Sequence, residues 1–231
     1  MEVHVRSIPL ILVAVLAVSA TSPAPAAPTI ELSVGRGYLY AHSTLAVVEE
    51  DASLEFESVG SEGFVLRVAP GYEWSWGRAR LAGELAVSYS NMRTGIRANV
   101  SYAGAYARAT TGRIVMASGR IGAEVAPGTQ VHGRVGYATM EYRSEIGALF
   151  GEIDERDTGE VQAVVAGAGI QVEFTPGWAV RGEYTHMNFE RASEVEHIDD
   201  IEGIEGIEDI HLRWTIEPRI ETITVSIVRV Y

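Results

Sequence analysis

From Thr29 onward the chain repeats a two-residue alternation. Between Gly63 and Trp74, alternate positions hold Phe64, Leu66, Val68, Pro70, Tyr72 and Trp74, while the positions between them hold Val65, Arg67, Ala69, Gly71 and Glu73. In an extended strand these two sets lie on opposite faces. The same sorting sets Val164, Ala166, Ala168, Ile170, Val172 and Phe174 against Gly167, Gly169, Gln171 and Glu173. It predicts eight strands, at Thr29 to His42, Gly63 to Trp74, Arg78 to Ser90, Gly112 to Val125, Thr129 to Tyr142, Gly159 to Phe174, Trp178 to Glu190 and Arg219 to Tyr231. Three connections, Ser75 to Gly77, Ala126 to Gly128 and Thr175 to Gly177, are tight, and two carry Pro-Gly. The others, Ser43 to Glu62, Asn91 to Thr111, Arg143 to Thr158 and Arg191 to Pro218, are long and mostly acidic. Period-two runs joined by alternately short and long connections predict an all-β fold, an eight-stranded antiparallel up-and-down transmembrane β-barrel. Such a sheet closes on itself because an open edge would leave backbone groups unpaired in hydrocarbon.

The charges decide which face meets lipid. Glu31, Arg67, Glu73, Arg80, Glu84, Arg120, Glu124, Arg134, Glu173, Arg181 and Glu183 share one face with Gly71, Gly122, Gly136, Gly167 and Gly169. Turned outward, each Arg near the midplane would cost roughly 2–4 kcal/mol. Turned inward, the two signs pair across a lumen that eight strands make just wide enough for side chains to fill. A wide pore is therefore excluded. Arg36 and Arg229 fall on the lipid side; Arg229 lies near an end, where its head can reach the interface. Tyr38, Tyr40, Tyr72, Trp74, Trp76, Tyr89, Tyr137, Trp178 and Tyr184 sort as an interfacial aromatic belt. The segment Ala98 to Ala109 fits either a loop or an extension of the third or fourth strand.

The N-terminus supplies a route to the membrane. Arg6 precedes the apolar run Ile8 to Val18, and Ala24-Pro25-Ala26 offers a small-x-small cleavage pattern, so residues 1–26 read as a signal peptide and 27–231 as the barrel domain. The apolar run is too short to span a bilayer as a helix. Cysteine is absent, so disulfides do not hold this fold. The net charge is −13 and no basic stripe tracks a phosphate backbone, which excludes nucleic acid as a partner.

The stretch Gly167 to Thr185, with its glycine-rich strand, Thr175-Pro176 turn, Trp178 and Arg181-Gly182-Glu183-Tyr184, resembles the sixth-to-seventh hairpin of the outer membrane protein A-like and opacity-protein family of small barrels. Gln130 to Tyr142 resembles its fifth strand, and the run Ile223-x-Val225-x-Ile227 ending in Tyr231 is similar to the aromatic-ended last strand that the barrel-assembly machinery recognises. The resemblance implies a monomer in the outer membrane of a Gram-negative bacterium, in contact with lipid and lipopolysaccharide. No cofactor or metal is implied, and with no room after Tyr231 for a peptidoglycan-binding domain, no tether to the cell wall.

Candidate chemistry is sparse. His42 and Ser43 are strand neighbours and point apart; His186-Met187-Asn188 is similar to the His-x-Ser of lipid A deacylases but has Asn in the Ser position; His132 shares the lumen face with Arg134. None forms a nucleophile–base pair, so no enzyme is expected. Glu194 to Asp209 packs eight acids around the repeat Ile201-Glu202-Gly203-Ile204-Glu205-Gly206-Ile207-Glu208, read as a solvated acidic loop and a possible contact for an extracellular partner. The expected role is structural or interactive: envelope integrity, adhesion, or at most slow passage of small solutes. The alternatives are an exported soluble lipocalin-like carrier, its apolar face inward, and a lipid-modifying barrel enzyme.

Overall fold

The computed structural model describes residues 26–47, 52–100, 103–148, 154–198 and 210–231. The apolar N-terminal run and the Ile-Glu-Gly repeat lie outside the described residues. Ten strands follow in chain order: β1 Ala27–Val47, β2 Ala52–Trp76, β3 Ala79–Ser90, β4 Arg93–Val100, β5 Ala103–Ala126, β6 Thr129–Ala148, β7 Asp154–Thr175, β8 Trp178–Phe189, β9 Ala192–Ile198 and β10 Ile210–Val230. Eight of them form an antiparallel ring in the order β1, β2, β3, β5, β6, β7, β8, β10, closed by β10 against β1 from Thr29 opposite Val230 to Val47 opposite Leu212.

At one end the ring is laced by its tight turns. Gly77, Gly128 and Gly177 each take a positive φ, of 58°, 71° and 74°, which glycine adopts without the Cβ clash other residues suffer. Each turn bonds to the next strand's end: Glu124 N–H donates to Arg78 O at 2.8 Å, Glu173 N–H to Gly128 O at 2.7 Å, and Val230 N–H to Gly177 O at 2.9 Å. Tyr231 N–H then donates to Pro28 O at 3.0 Å and completes the circuit.

The strands run well past a bilayer, up to the 25 residues of β2, whereas a tilted membrane strand needs about 9–11. In the segments Ser43 to Glu62, Arg143 to Thr158 and Arg191 to Pro218, expected as loops, the described residues are therefore strand, Arg191 excepted. The described residues of Ala98 to Ala109 belong to β4 and β5, which pair with each other, the extension rather than the loop reading. Composition concealed these extensions, because beyond the membrane the outward face turns polar and the period-two contrast weakens.

Two strands of the ring break on the way out. After Ser90 the chain steps through Asn91 and Met92 before β4 resumes pairing with β5, and after Phe189 it steps through Glu190 and Arg191 before β9 resumes pairing with β10. Among the described residues β4 pairs only with β5 and β9 only with β10. The cylinder thus divides, beyond these steps, into two four-stranded sheets, β9-β10-β1-β2 and β4-β5-β6-β7. At the first seam, side chains replace the missing ladder: Phe64 N–H donates to Asn91 Oδ1 at 2.8 Å, and Arg93 N–H to Ser61 Oγ at 3.0 Å. Met92, fully buried, folds inward over Gly37 and Gly63, where a Cβ would lie 2.8 Å from Met92 Sδ and 2.6 Å from Met92 Cγ respectively.

Candidate functional site

Alternation along each strand fills the lumen in two storeys. Nearest the tight turns lies a charge network. Arg67 bonds Glu31 at 2.5 Å and Glu183 at 3.1 Å; Arg120 bonds Glu84 at 2.6 Å; Arg134 reaches Glu84 at 2.8 Å and Glu183 at 3.0 Å; Arg181 contacts Glu31 and, at 3.2 Å, Glu84. Charge alternates around this circuit, so each buried ion has a counter-ion in reach, as a medium of low dielectric requires. His132 Nε2 meets Glu183 at 3.1 Å, and Gln171, Ser33, Ser118, Thr185 and Ser226 satisfy further donors and acceptors. These polar partners are uncharged, so charge-based sorting of the sequence passes over them, although all share the inward parity.

Inward glycines let the strands approach within this storey. A Cβ on Gly136 would lie 2.5 Å from Ala117 O, and one on Gly169 2.6 Å from Gly182 O and 2.8 Å from the His132 ring. Arg80, Glu73 and Glu124 sit at the edge, half-buried, with Arg80 at 3.3 Å from Glu124 and 3.8 Å from Glu73. Glu173 departs from the expectation. It is exposed, and accepts a hydrogen bond from Gly177 N–H at 3.1 Å instead of joining the lumen circuit. It keeps the inward parity, opposite buried Ala179, but stands at the turn end of β7, below the reach of the buried arginines. Glu124 caps Gly128 N–H in the same way, also at 3.1 Å.

Above the ions the lumen is dry, which corrects the expectation of an ion-paired interior throughout. Leu39, Val65, Met92, Ile114, Met116, Met140, Val165, Met187, Phe189 and Ile220 are buried and form one apolar cluster. The cluster begins at belt height, where Val65 and Val165 alternate with exposed Phe64, Leu66 and Val164. It continues outward past the belt, where water surrounds the cylinder and apolar side chains turn to the middle. Farther out, Trp214 and Ile216 of one sheet face Ala109, Met140, Tyr142 and Val161 of the other. A cavity between them, about 20 Å³, holds little more than one water molecule.

The outward face carries the lipid belt. Exposed Val164, Ile170, Val172 and Phe174 on β7, and Phe64, Leu66, Val68 and Tyr72 on β2, mark a band about eleven residues tall. Tyr40, Tyr72, Tyr89, Trp178 and Tyr184 are exposed, whereas Tyr38, Trp74, Trp76 and Tyr137 are half-buried; Tyr72 and Trp74 pack with ring centres 6.5 Å apart. Tyr137 Oη donates to Gln162. The two lipid-side arginines are both accommodated. Arg36 forms an ion pair with Glu62 at the outer border of the belt, and Arg229 lies 5.0 Å from the Trp178 ring centre and 5.4 Å from that of Tyr231. An outward apolar belt is the reverse of a soluble carrier.

No catalytic constellation assembles among the described residues. Ser43 is buried inside while His42 faces out, His186 pairs outward with Glu221 at 3.5 Å, and His132 is committed to Glu183. No three His, Asp or Glu side chains among them are grouped to hold a metal.

The model of the outer membrane protein beta-barrel domain family matches residues 10–205. No curated protein matches the chain. Among solved structures, Neisserial surface protein A is 12% identical, with 91% of this chain and 100% of that one covered at a TM-score of 0.41. Ail, the attachment invasion locus protein of Yersinia pestis, is 12% identical over 84% of this chain and 97% of its own at 0.35. The outer membrane protease OmpT from Escherichia coli is 10% identical over 88% and 97% at 0.49.

Proposed function

The chain belongs to the outer membrane protein β-barrel domain family, and from that premise we propose that it is a sealed scaffold: a barrel that carries no solute and holds two sheets above the membrane for contact with other surfaces. The observation that carries this reading is the stacking of a dry apolar plug on a neutralised charge network. An ion entering from outside meets Trp214, Met92, Met140 and Ile220 before any polar group of the network. Crossing that layer means shedding its hydration without replacement partners, which costs several kcal/mol or more. Beyond it, every strong ligand is already engaged by an opposite charge.

What remains for the molecule to do lies on its outer surface. The two sheets project about ten residues beyond the belt, and the β9-β10-β1-β2 sheet ends in the acidic connections 48–51 and 199–209, an arrangement suited to presenting side chains to an envelope component or to another cell. The test is planar-bilayer recording of the refolded protein. The unaltered chain is expected to leave the membrane at its lipid baseline, and the combined variant Leu39→Gly, Met140→Gly, Ile220→Gly, which empties the plug, to remain near baseline while the charge network stays intact. Stepwise conductance by the unaltered protein would overturn the reading and favour a solute path.

A further inference from the structure

On one flank of the barrel, immediately above the lipid belt, the outward face is basic. Arg93 on β4 stands opposite Thr110 on β5, and Thr110 stands opposite Arg143 on β6. Thr94 and Ser144, their chain neighbours, are buried, so both arginines point outward, and both are exposed. Two strand spacings separate their backbones by about 9–10 Å, within which two guanidinium heads can close on one anion or take adjacent oxygens. Among the described residues neither has an ion-pair partner. Arg113, below, is paired with Glu141, and Arg108, above, with Glu145 at 3.6 Å. Among the described outward side chains of β4, β5 and β6 there are therefore four arginines against two glutamates, with Glu160 of β7 opposite Glu141 at the far margin, in a chain whose net charge is −13. Surplus positive charge here is local, not a reflection of composition.

Its height supplies the second argument. Arg113 stands directly opposite Tyr89, and Tyr89, Val115 and Tyr137 belong to the outward face that meets lipid. A ligand held by Arg93 and Arg143 thus sits where acyl chains give way to headgroups.

We propose that Arg93 and Arg143 form a binding site for the phosphorylated headgroup of an outer-leaflet glycolipid. The lipid's acyl chains lie along Val115 and its neighbours while the two arginines engage phosphate, so the barrel carries a headgroup seat on the β4-β5-β6 side. The inference uses the membrane placement of the family and not the sealed-lumen reading, so a conducting barrel would leave it standing.

The test uses the refolded full chain in lipid nanodiscs, titrated with diphosphoryl lipid A and with its dephosphorylated form. The unaltered protein is expected to bind the diphosphoryl form at least about tenfold more tightly, with the preference falling as salt rises. The double variant Arg93→Ala, Arg143→Ala is expected to lose that preference, and Arg219→Ala, an exposed arginine on β10, to keep it. Each variant's change in gel mobility on heating reports that the barrel has formed. Equal binding of the two lipids, an unaffected double variant, or an equal loss in Arg219→Ala would overturn the assignment. So would displacement of bound lipid A by millimolar inorganic phosphate or by a soluble sulfated polysaccharide, since the site would then recognise the anion without its membrane anchor.

Discussion

Glu183 accepts from Arg67, Arg134, His132 and Thr185. Replacing it by Gln leaves these four cationic or polar donors facing a neutral amide. Removing one partner from a buried ion network costs about 3–5 kcal/mol, so Glu183→Gln should lower the urea midpoint of the refolded barrel strongly. Glu173→Gln, by contrast, alters an exposed turn cap and should cost less than about 1 kcal/mol. Equal effects of the two would contradict the placement. Sequence alternation assigns both residues to the same inward face. It tells which side of a strand a residue takes but not its height along the barrel axis, and height is what separates a keystone of the network from a turn cap. His132 illustrates the same limit, since its parity was legible while its contact with Glu183, fifty-one residues away, depends on barrel shear.

At the scale of elements, the glycines give a sharp contrast. Gly136 faces inward with Ala117 O pressed against the site of a Cβ, whereas Gly182 faces outward with nothing within 4 Å. Gly136→Ala should destabilise the barrel by about 1–3 kcal/mol through overpacking, and Gly182→Ala should be neutral or stabilising by up to about 1 kcal/mol. Denaturant titration followed by tryptophan fluorescence reads both, and a shared sign would refute the strand-by-strand orientation. The seam at Asn91 gives another test. Asn91→Ala removes the acceptor for Phe64 N–H, so hydrogen exchange should quicken at Phe64 and along β4 while β6 stays protected. The membrane strands and tight turns were readable because lipid outside and charge inside impose full contrast on alternate residues. The outer strands were not, since β4 and the far end of β5 alternate small residues with polar ones, and a step of two residues looks like the end of a strand. Pairing partners, not composition, keep those segments extended.

For the molecule as a whole, the charged layer and the plug separate two requirements that one core would have to meet together. The ions exclude lipid and specify strand order, while the apolar cluster excludes water. Thinning the plug alone, as in Met92→Ala with Met140→Ala, should lower thermal stability by several kcal/mol without introducing conductance, since the circuit below remains closed. A current in that variant would assign the seal to the plug and not to the pair. The two sheets above the membrane share the ring as their base and, among the described residues, have no backbone ladder between them, meeting through side chains instead. Each hairpin can accordingly be lengthened or exchanged as a module, provided both of its arms gain the same even number of residues so that inside and outside keep their places. Foreign segments grafted at the far tip of β4-β5, beyond these side-chain contacts, are expected to leave the pairing of β9 with β10 unchanged, so the two halves can be engineered at different rates.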